Sequence, residues 1–323
     1  MADEPSDEIV VVGGGVVGLT TAVVLAEGGR RVRVWTKDAA EATTSAVAGA
    51  LWWPYRIEPA ALARTWGLRS LEVYAELARR PGQAGVRMVE GVLGETGLDE
   101  VAGWLAARVP GLRAATPGEY AGRGVRARLP LIDMPAHLAW LRERLAAAGG
   151  VVEARAVSSL AEADAPVVVN CTGLAARELV PDPSVRPVRG QLVVVENPGI
   201  DTWLVSRDAA GQYAYLFPQP GGLILGGTAE EDAWSLEPDP ATAEAIVARC
   251  AELRPEVAGA KVLEHRVGLR PTRPAVRLER DALPDGRLLV HNYGHGGAGV
   301  TVAWGCAQEA ARLVTGGEAA VTG

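Results

Sequence analysis

The chain has 323 residues, 48% hydrophobic and 22% charged, with a formal net charge of −7 at pH 7. This composition is ordinary for a globular protein of one or two domains, and the acidic balance argues against nucleic acid as a partner. No apolar run approaches the roughly 18 residues of a membrane helix, and the acidic N-terminal stretch does not resemble a secretory signal. We therefore expect a cytoplasmic protein without a membrane partner.

The first 36 residues predict a strand, a glycine turn, a helix and a second strand. Residues 9–12 form a β-branched run, glycines follow at 13 to 15, residues 16–27 have helical character, and residues 31–35 alternate. This order indicates a βαβ unit with a parallel sheet. The glycines at 13, 15 and 18 have the spacing that lets a helix N-terminus approach a pyrophosphate. A dinucleotide-type cofactor is therefore expected here.

The end of the second predicted strand lacks the acidic residue that binds a ribose hydroxyl in many NAD enzymes. Thr36 stands there, followed by Lys37 and Asp38. This departure disfavours an NAD-dependent dehydrogenase.

The middle of the chain is predicted to contain helices and two strands first, and then a series of antiparallel strands. Residues 56–85 and 137–148 have helical patterns, and residues 151–155 and 166–169 are predicted strands. From about residue 185 to 276, short apolar runs at 191–195, 213–217 and 223–225 are separated by proline and glycine, as in antiparallel strands. A strand at 288–290 and a closing helix at 303–313 return to the initial pattern, which indicates two interleaved domains.

A second glycine cluster, from Gly294 to Gly299, again lies between a predicted strand and a helix. Two glycine-rich helix starts suit a long cofactor that is held at both ends. His291 and His295 sit on this loop and do not share a helix face, so we expect no metal site. The three cysteines also lack metal-ligand spacing, and we expect them to be reduced thiols.

Six segments carry a resemblance that runs through essentially the whole chain. They are VGGGVVGL at 12–19, TTSAVAGALWWPY at 43–55, NCTG at 170–173, RGQ at 189–191, VGLRP at 267–271 with VRLE at 276–279, and HNYGHGGAG at 291–299. In this order they resemble the D-amino-acid oxidases of the bacterial branch. The resemblance implies an FAD-dependent enzyme that removes a hydride from the α-carbon of a D-amino acid, with oxygen as the electron acceptor.

The resemblance also implies the fold class, which is α/β. A Rossmann-like FAD-binding domain is expected at residues 1–54, 146–190 and 277–323. An α+β substrate-binding domain built on an antiparallel sheet is expected at residues 55–145 and 191–276. The oligomeric state stays open between a monomer and a homodimer.

The FAD contacts implied by the resemblance are spread over the glycine-rich segments and the loops between them. They are Gly13, Gly14, Gly15, Val16, Val17, Gly18, Thr36, Lys37, Thr43, Thr44, Ser45, Ala48, Gly49, Ala50, Leu51, Val157, Cys171, Thr172, Gly173, Arg270, Gly294, Gly296, Gly297, Ala298, Gly299, Val300 and Thr301.

Arg270 matches the family arginine that receives the substrate α-carboxylate, and Tyr215 matches the tyrosine whose hydroxyl also holds it. A guanidinium can bind a carboxylate through two parallel hydrogen bonds and stays charged. On residue chemistry alone, Arg270 is indistinguishable from its neighbours Arg266, Arg273 and Arg277, and Tyr215 could be a core aromatic. The resemblance implies that Gly297 is the third catalytic residue.

The expected substrate pocket contains Leu51, Trp53, Tyr213 and Arg207. Trp53 stands where better-known family members carry glutamine, so we expect a narrower pocket. The segment from Asp208 to Tyr215 is shorter than the mammalian lid.

Arg207 matches an arginine of D-aspartate oxidases, but Ala229 replaces the second arginine of that subgroup. A neutral D-amino acid is therefore the expected substrate. D-aspartate, glycine or sarcosine are the alternatives on the same fold, and a non-catalytic FAD-binding protein is an alternative of a different class.

Overall fold

The computed structural model describes residues 8–208 and 210–317 of the chain. Strands β1 to β14 are, in chain order, Glu8–Val12, Arg31–Thr36, Val86–Gly94, Arg113–Ala114, Gly124–Ile132, Val151–Ala154, Val167–Asn170, Arg186–Val195, Trp203–Arg207, Tyr213–Gln219, Gly222–Gly226, Glu230–Glu231, Val262–Ala282 and Leu288–His295. Helices α1 to α7 are Val16–Glu27, Ala60–Leu77, Leu98–Leu105, Met134–Ala147, Ala176–Leu179, Pro240–Leu253 and Gly299–Val314.

One half of the structure is the parallel unit that the first 36 residues predict. β1 lies between β2 and β7, β6 pairs with the outer edge of β2, and β14 pairs with β7, all in parallel. The β-branched side chains of β1 are buried because helices cover the sheet, as is usual for a parallel sheet. The predicted mixed α/β architecture is confirmed.

The other half is mainly antiparallel and joins the first half through β13. β13 pairs with β14 on one side and with β8 on the other, and β11, β10 and β9 follow β8. β9 then pairs in parallel with β3, and β5 and β4 complete the edge. Across residues 8–208 and 210–317, all fourteen strands belong to one sheet, since β12 also pairs with β8.

The long strands β8 and β13 run through the predicted domain boundaries at 190/191 and 276/277. β13 pairs both with β8 of the antiparallel side and with β14, which belongs to the parallel sheet. The division into two domains therefore stays a prediction.

Several elements differ from the sequence expectations. The helical pattern of residues 56–85 yields α2 only as far as Leu77, and Gly82 and Gly85 then take positive φ angles of 81° and 65° in the turns that follow. The strand expected at 288–290 extends to His295, because β13 pairs with it along that length. No helix in the described part of the chain is long and apolar enough to span a bilayer.

An aromatic cluster joins α2, α4 and α7 on one face of the sheet. His137 is fully buried, with its ring 5.7 Å from that of Tyr74 and 5.5 Å from that of Trp140. Its Nδ1–H donates to the carbonyl of Ala84 at 2.8 Å. Burial lowers the pKa of His137 from 6.5 to about 4, so the ring is neutral at pH 7.

This histidine predicts an acid-dependent loss of stability. The unfolded chain protonates at about pH 6.5 and the folded chain only near pH 4, so stability is full above pH 6.5 and falls as the pH drops towards 4. Relative to His137→Phe, we expect the wild-type holoenzyme to lose about 3 kcal/mol of unfolding free energy between pH 7 and pH 4. Urea unfolding at several pH values measures this difference. Exposed His265, replaced by Phe, is the control; parallel curves for wild type and His137→Phe would contradict the prediction.

Candidate active site

A cavity of about 1550 Å³ opens at the carboxyl ends of the parallel strands and continues to β10 and β13. The carboxyl edge of such a sheet is where α/β proteins bind their ligands. Sites for a single small ligand usually measure about 300–1,000 Å³. This cavity therefore has room for an extended cofactor together with a small substrate.

The turn after β1 brings backbone to the cavity as the glycine spacing predicts. Gly13 has a φ of 121°, and a Cβ there would lie 2.3 Å from the carbonyl oxygen of Cys171. Only glycine fits this turn, because the positive φ and the close approach both exclude a side chain. Residues Gly15, Val16 and Val17 at the start of α1 line the cavity. The turn and the helix start thus fit the pyrophosphate of a dinucleotide cofactor.

Nearly all of the residues predicted to bind cofactor or substrate line this one cavity. The exceptions are Gly18, Gly294 and Ala298. Gly18 packs against the carbonyl of Gly13, Gly294 faces the side chain of Arg273, and the side chain of Ala298 is buried. These three support the loops around the cavity, while the roles of the lining residues stay predictions.

The end of β2 forms a wall that the sequence did not predict. Arg155 lies over the ring of Trp35, with its Cζ 3.8 Å from the ring centroid, and both residues line the cavity. The hydroxyl of Thr36, where an acidic residue was expected, donates to the carbonyl of Asp38 at 2.7 Å. This end of the cavity therefore presents the Trp35 ring and the Arg155 guanidinium, with Thr36 where an acidic residue was expected; Asp38 and Glu41 also line the cavity.

Ion pairing distinguishes Arg270 from the three arginines nearest to it on β13. Arg266 pairs with Glu264, Arg273 with Asp182, and Arg277 with Glu279 and Asp281. Among residues 8–208 and 210–317, no carboxylate lies within ion-pair distance of Arg270. Its Nη1 donates to the carbonyl of Thr228 at 3.0 Å. A half-buried guanidinium without an anionic partner is suited to bind an anionic ligand.

Tyr215 is the second predicted carboxylate ligand, and it lies beside Arg270. Burial raises the pKa of its hydroxyl, and the positive charge of Arg270 acts against that shift. The hydroxyl therefore stays protonated at neutral pH and can donate a hydrogen bond. The ring stacks on Phe217 with centroids 4.6 Å apart, so it has a packing role as well.

Tyr55, Tyr213 and Arg207 form an aromatic and cationic wall near Arg270. The rings of Tyr55 and Tyr213 meet edge to face with centroids 5.2 Å apart, and the Arg207 Cζ lies 3.9 Å from the Tyr213 ring centroid. Arg207 also donates to the Tyr213 hydroxyl and, at 3.0 Å, to the carbonyl of Gly211. Its guanidinium is thus engaged within its own β9–β10 connection.

Trp53, which lines the cavity, is held by a residue of α7. The hydroxyl of Thr301, in the first turn of α7, donates to the carbonyl of Trp53 at 2.9 Å. The indole packs against Trp104 with ring centroids 5.8 Å apart. The residue is therefore fixed by contacts with α3 and α7, while its effect on the size of the substrate pocket stays a prediction.

Two other titratable side chains at the cavity are neutral. Burial raises the pKa of the Cys171 thiol to about 12 and lowers the pKa of His295 to about 4. Neither is a reactive nucleophile or a charged group at pH 7. No group of three or more metal-ligating side chains occurs within the described ranges.

Sequence reasoning missed three residues around Arg270 and the end of β2: Arg155, Gly190 and Thr228. Tyr55 was expected in a wall, residues 52–55, that shapes the choice of substrate, and it lines the cavity. Gly190 lies in a segment that carried the family resemblance, but nothing in its own pattern assigned it a role. Thr228 and Arg155 carry no local signal at all, because strand pairing and loop packing bring them to the site.

The chain matches the family model described as FAD dependent oxidoreductase over residues 8–313. It is 77% identical to a D-amino-acid oxidase of Streptomyces coelicolor over 314 residues, which cover 97% of this chain and 98% of the relative. It is 51% identical to a D-amino-acid oxidase of Rubrobacter xylanophilus over 311 residues, with 94% of each chain covered. A solved glycine oxidase of Geobacillus kaustophilus shares the fold, with a TM-score of 0.80 at 22% identity over 97% of this chain and 96% of that one. This chain is therefore an FAD-dependent oxidoreductase and belongs to the D-amino-acid oxidase family.

Proposed function

We propose that this enzyme converts neutral D-amino acids to 2-oxo acids, with ammonia and hydrogen peroxide as the other products. The observation that carries the proposal is Arg270, which lies in the cavity beside Tyr215 and has no carboxylate partner within residues 8–208 and 210–317. The relatives of highest identity given above are named for the same activity. The absence of a membrane-spanning helix in the described residues and the three free cysteines support a cytoplasmic location.

The cavity residues bind and orient the substrate. Arg270 and the Tyr215 hydroxyl hold the α-carboxylate, while Trp53 and Tyr213 bound the space for the side chain. With the carboxylate and side chain fixed, only one enantiomer directs its α-hydrogen towards the cofactor. When bound, FAD would supply the acceptor for that hydride, with oxygen as the final electron acceptor, and the glycine turn after β1 and the start of α1 would hold its pyrophosphate. The charge of Arg270 lowers the pKa of the substrate ammonium and favours the neutral amine that the reaction requires.

The contacts of Arg207 bear on whether the substrate has a neutral or an acidic side chain. In a D-aspartate oxidase its guanidinium would bind the side-chain carboxylate, and its position on the cavity wall makes D-aspartate the second candidate. Here it donates to Gly211 and Tyr213 and lies over the Tyr213 ring. Because these contacts occupy it, and Ala229 provides no second cation, we favour neutral substrates.

The test is anaerobic mixing of the purified FAD-loaded protein with D-alanine, and separately with L-alanine. We expect D-alanine alone to bleach the flavin absorption band. Bleaching by neither enantiomer, but by D-aspartate or glycine, would replace the proposed substrate class. A protein that binds FAD but is reduced by no amino acid would overturn the proposal.

The bulk of Trp53 predicts a narrow side-chain pocket. Trp53→Gln should raise the ratio of kcat/KM for D-phenylalanine to kcat/KM for D-alanine by about ten-fold, because a smaller side chain enlarges the pocket. Steady-state oxygen consumption with both substrates measures the ratio. Trp234, which is 53% exposed and does not line the cavity, gives the matched control Trp234→Gln. An unchanged ratio would remove Trp53 from the specificity wall.

A further inference from the structure

The segment Arg189–Gly190–Gln191 belongs to β8 and carried part of the family resemblance, yet it has no place in the reaction described so far. We infer that these three residues position Arg270: Arg189 and Gln191 fix the carbonyl that holds its guanidinium, and Gly190 leaves the space in which that guanidinium lies. This inference rests on the proposed role of Arg270 in binding the substrate carboxylate.

Arg189 is buried and binds the segment that follows β11 through several hydrogen bonds. Its side chain is 5% exposed, and its Nη1 pairs with Glu230 at 2.7 Å. Its Nη2 donates to Gln191 Oε1 at 3.0 Å, and other donors reach the carbonyls of Ser235 and Glu237 at 3.0 and 2.6 Å. A planar guanidinium with all its nitrogens engaged fixes its partners in direction as well as distance.

Thr228 connects this anchor to Arg270. Its hydroxyl donates to Glu230 Oε1 at 3.0 Å and accepts from the backbone N–H of Gln191 at 2.9 Å. Its carbonyl accepts from Arg270 Nη1 at 3.0 Å. The hydroxyl and carbonyl of one residue thus link Arg189, through Glu230, to the guanidinium of Arg270.

Gly190 makes room for the guanidinium itself. A Cβ at this position would lie 2.4 Å from both Nη atoms of Arg270 and 2.6 Å from its Cζ. The register explains the approach, because Gly190 pairs with Gly268, two residues before Arg270 and on the same face of β13. Any side chain at 190 would displace the guanidinium from where it lies now.

The direct experiment is Gly190→Ala in the FAD-loaded enzyme. We expect the KM for D-alanine to rise by about ten-fold or more, because the displaced Arg270 guanidinium no longer meets the substrate carboxylate. The dissociation constant for pyruvate, a carboxylate that the enzyme does not oxidise, should rise by a similar factor. The dissociation constant for FAD should change less than about two-fold, since all the predicted cofactor contacts except Arg270 lie in other segments. Gly221→Ala is the matched control, because a Cβ there meets no atom within 4 Å.

A second pair of variants tests the link through Thr228. Thr228→Val keeps the shape but loses both hydroxyl hydrogen bonds, and we expect pyruvate to bind roughly five-fold more weakly. Thr228→Ser restores the hydroxyl and should recover most of that affinity. Failure of the serine variant to recover it, with the protein folded, would contradict a link through the hydroxyl.

The outcomes separate this inference from the proposed function. If wild-type enzyme oxidises D-alanine while Gly190→Ala keeps its KM and its pyruvate affinity, the inference is wrong and the function stands. If Gly190→Ala loses FAD and substrate affinity in equal measure, the segment is structural and does not position Arg270. If the wild type neither oxidises D-alanine nor binds pyruvate, the proposed function is wrong, and the inference, which rests on it, is wrong as well.

Discussion

Replacing Arg270 by alanine should raise the KM for D-alanine by about two to three orders of magnitude and leave FAD bound. Of the five arginines of β13, Arg270 is the one that lines the cavity. It has no carboxylate partner in the described part of the chain, so its removal leaves a substrate carboxylate without its cation. Steady-state kinetics give the KM, and the visible absorption of the purified variant gives the bound flavin.

Arg266→Ala is the matched control for this prediction. Arg266 lies on the same strand, pairs with Glu264 and does not line the cavity. We expect its removal to leave the KM close to that of the wild type, because a pair in which the glutamate is exposed contributes little. Equal KM values for Arg270→Ala and wild type would refute the carboxylate role.

Gly13→Ala should weaken FAD binding by about 100-fold or more, the second large effect that we expect. The added Cβ would lie 2.3 Å from a backbone carbonyl that cannot rotate away, and the φ of 121° is strained for alanine. The turn must therefore shift away from the place where it lets the pyrophosphate approach the start of α1. Fluorescence titration of the apoprotein with FAD measures the dissociation constant.

A glycine in open space controls for the general effect of an added methyl group. Gly103 is exposed within α3, and a Cβ there meets no atom within 4 Å. Gly103→Ala should bind FAD as the wild type does and be slightly more stable, since alanine favours helix. A Gly13→Ala protein that retains wild-type FAD affinity would show that the turn does not approach the cofactor.

The local part of the fold was predictable from the sequence. The β-branched run of β1, the glycine turn and the helix at residues 16–27 carry their signals within a few neighbouring residues, and the structure confirms them. β3 and β13 carry no such signal. Glu90 and Gly91 interrupt the apolar run of β3, and Pro271 and Pro274 lie inside β13, where prolines ordinarily argue against a strand.

The site was predictable mainly where the family resemblance pointed to it. Residue chemistry alone could not choose Arg270 from Arg266, Arg273 and Arg277; the structure distinguishes it by the carboxylates that pair with the other three. Gly190 could not be identified, because its approach to Arg270 depends on pairing between β8 and β13, about 80 residues apart in the chain. Thr228 could not be identified either, because a hydrogen bond from Arg270 to the connection between β11 and β12 brings them together.

The pairing of β13 with β8 on one side and β14 on the other, with an irregularity between Thr272 and Arg277, has a consequence for the range of substrates. β13 carries Arg270 on one stretch and pairs along another with β14, which leads into the glycine loop that lines the cavity. With the roles proposed above, the paired strands fix the distance between the guanidinium that binds the substrate carboxylate and the loop that approaches the cofactor. We therefore expect substitutions at Trp53 or Tyr213 to change which side chain is accepted, while every accepted substrate places its α-carbon at the same distance from Arg270.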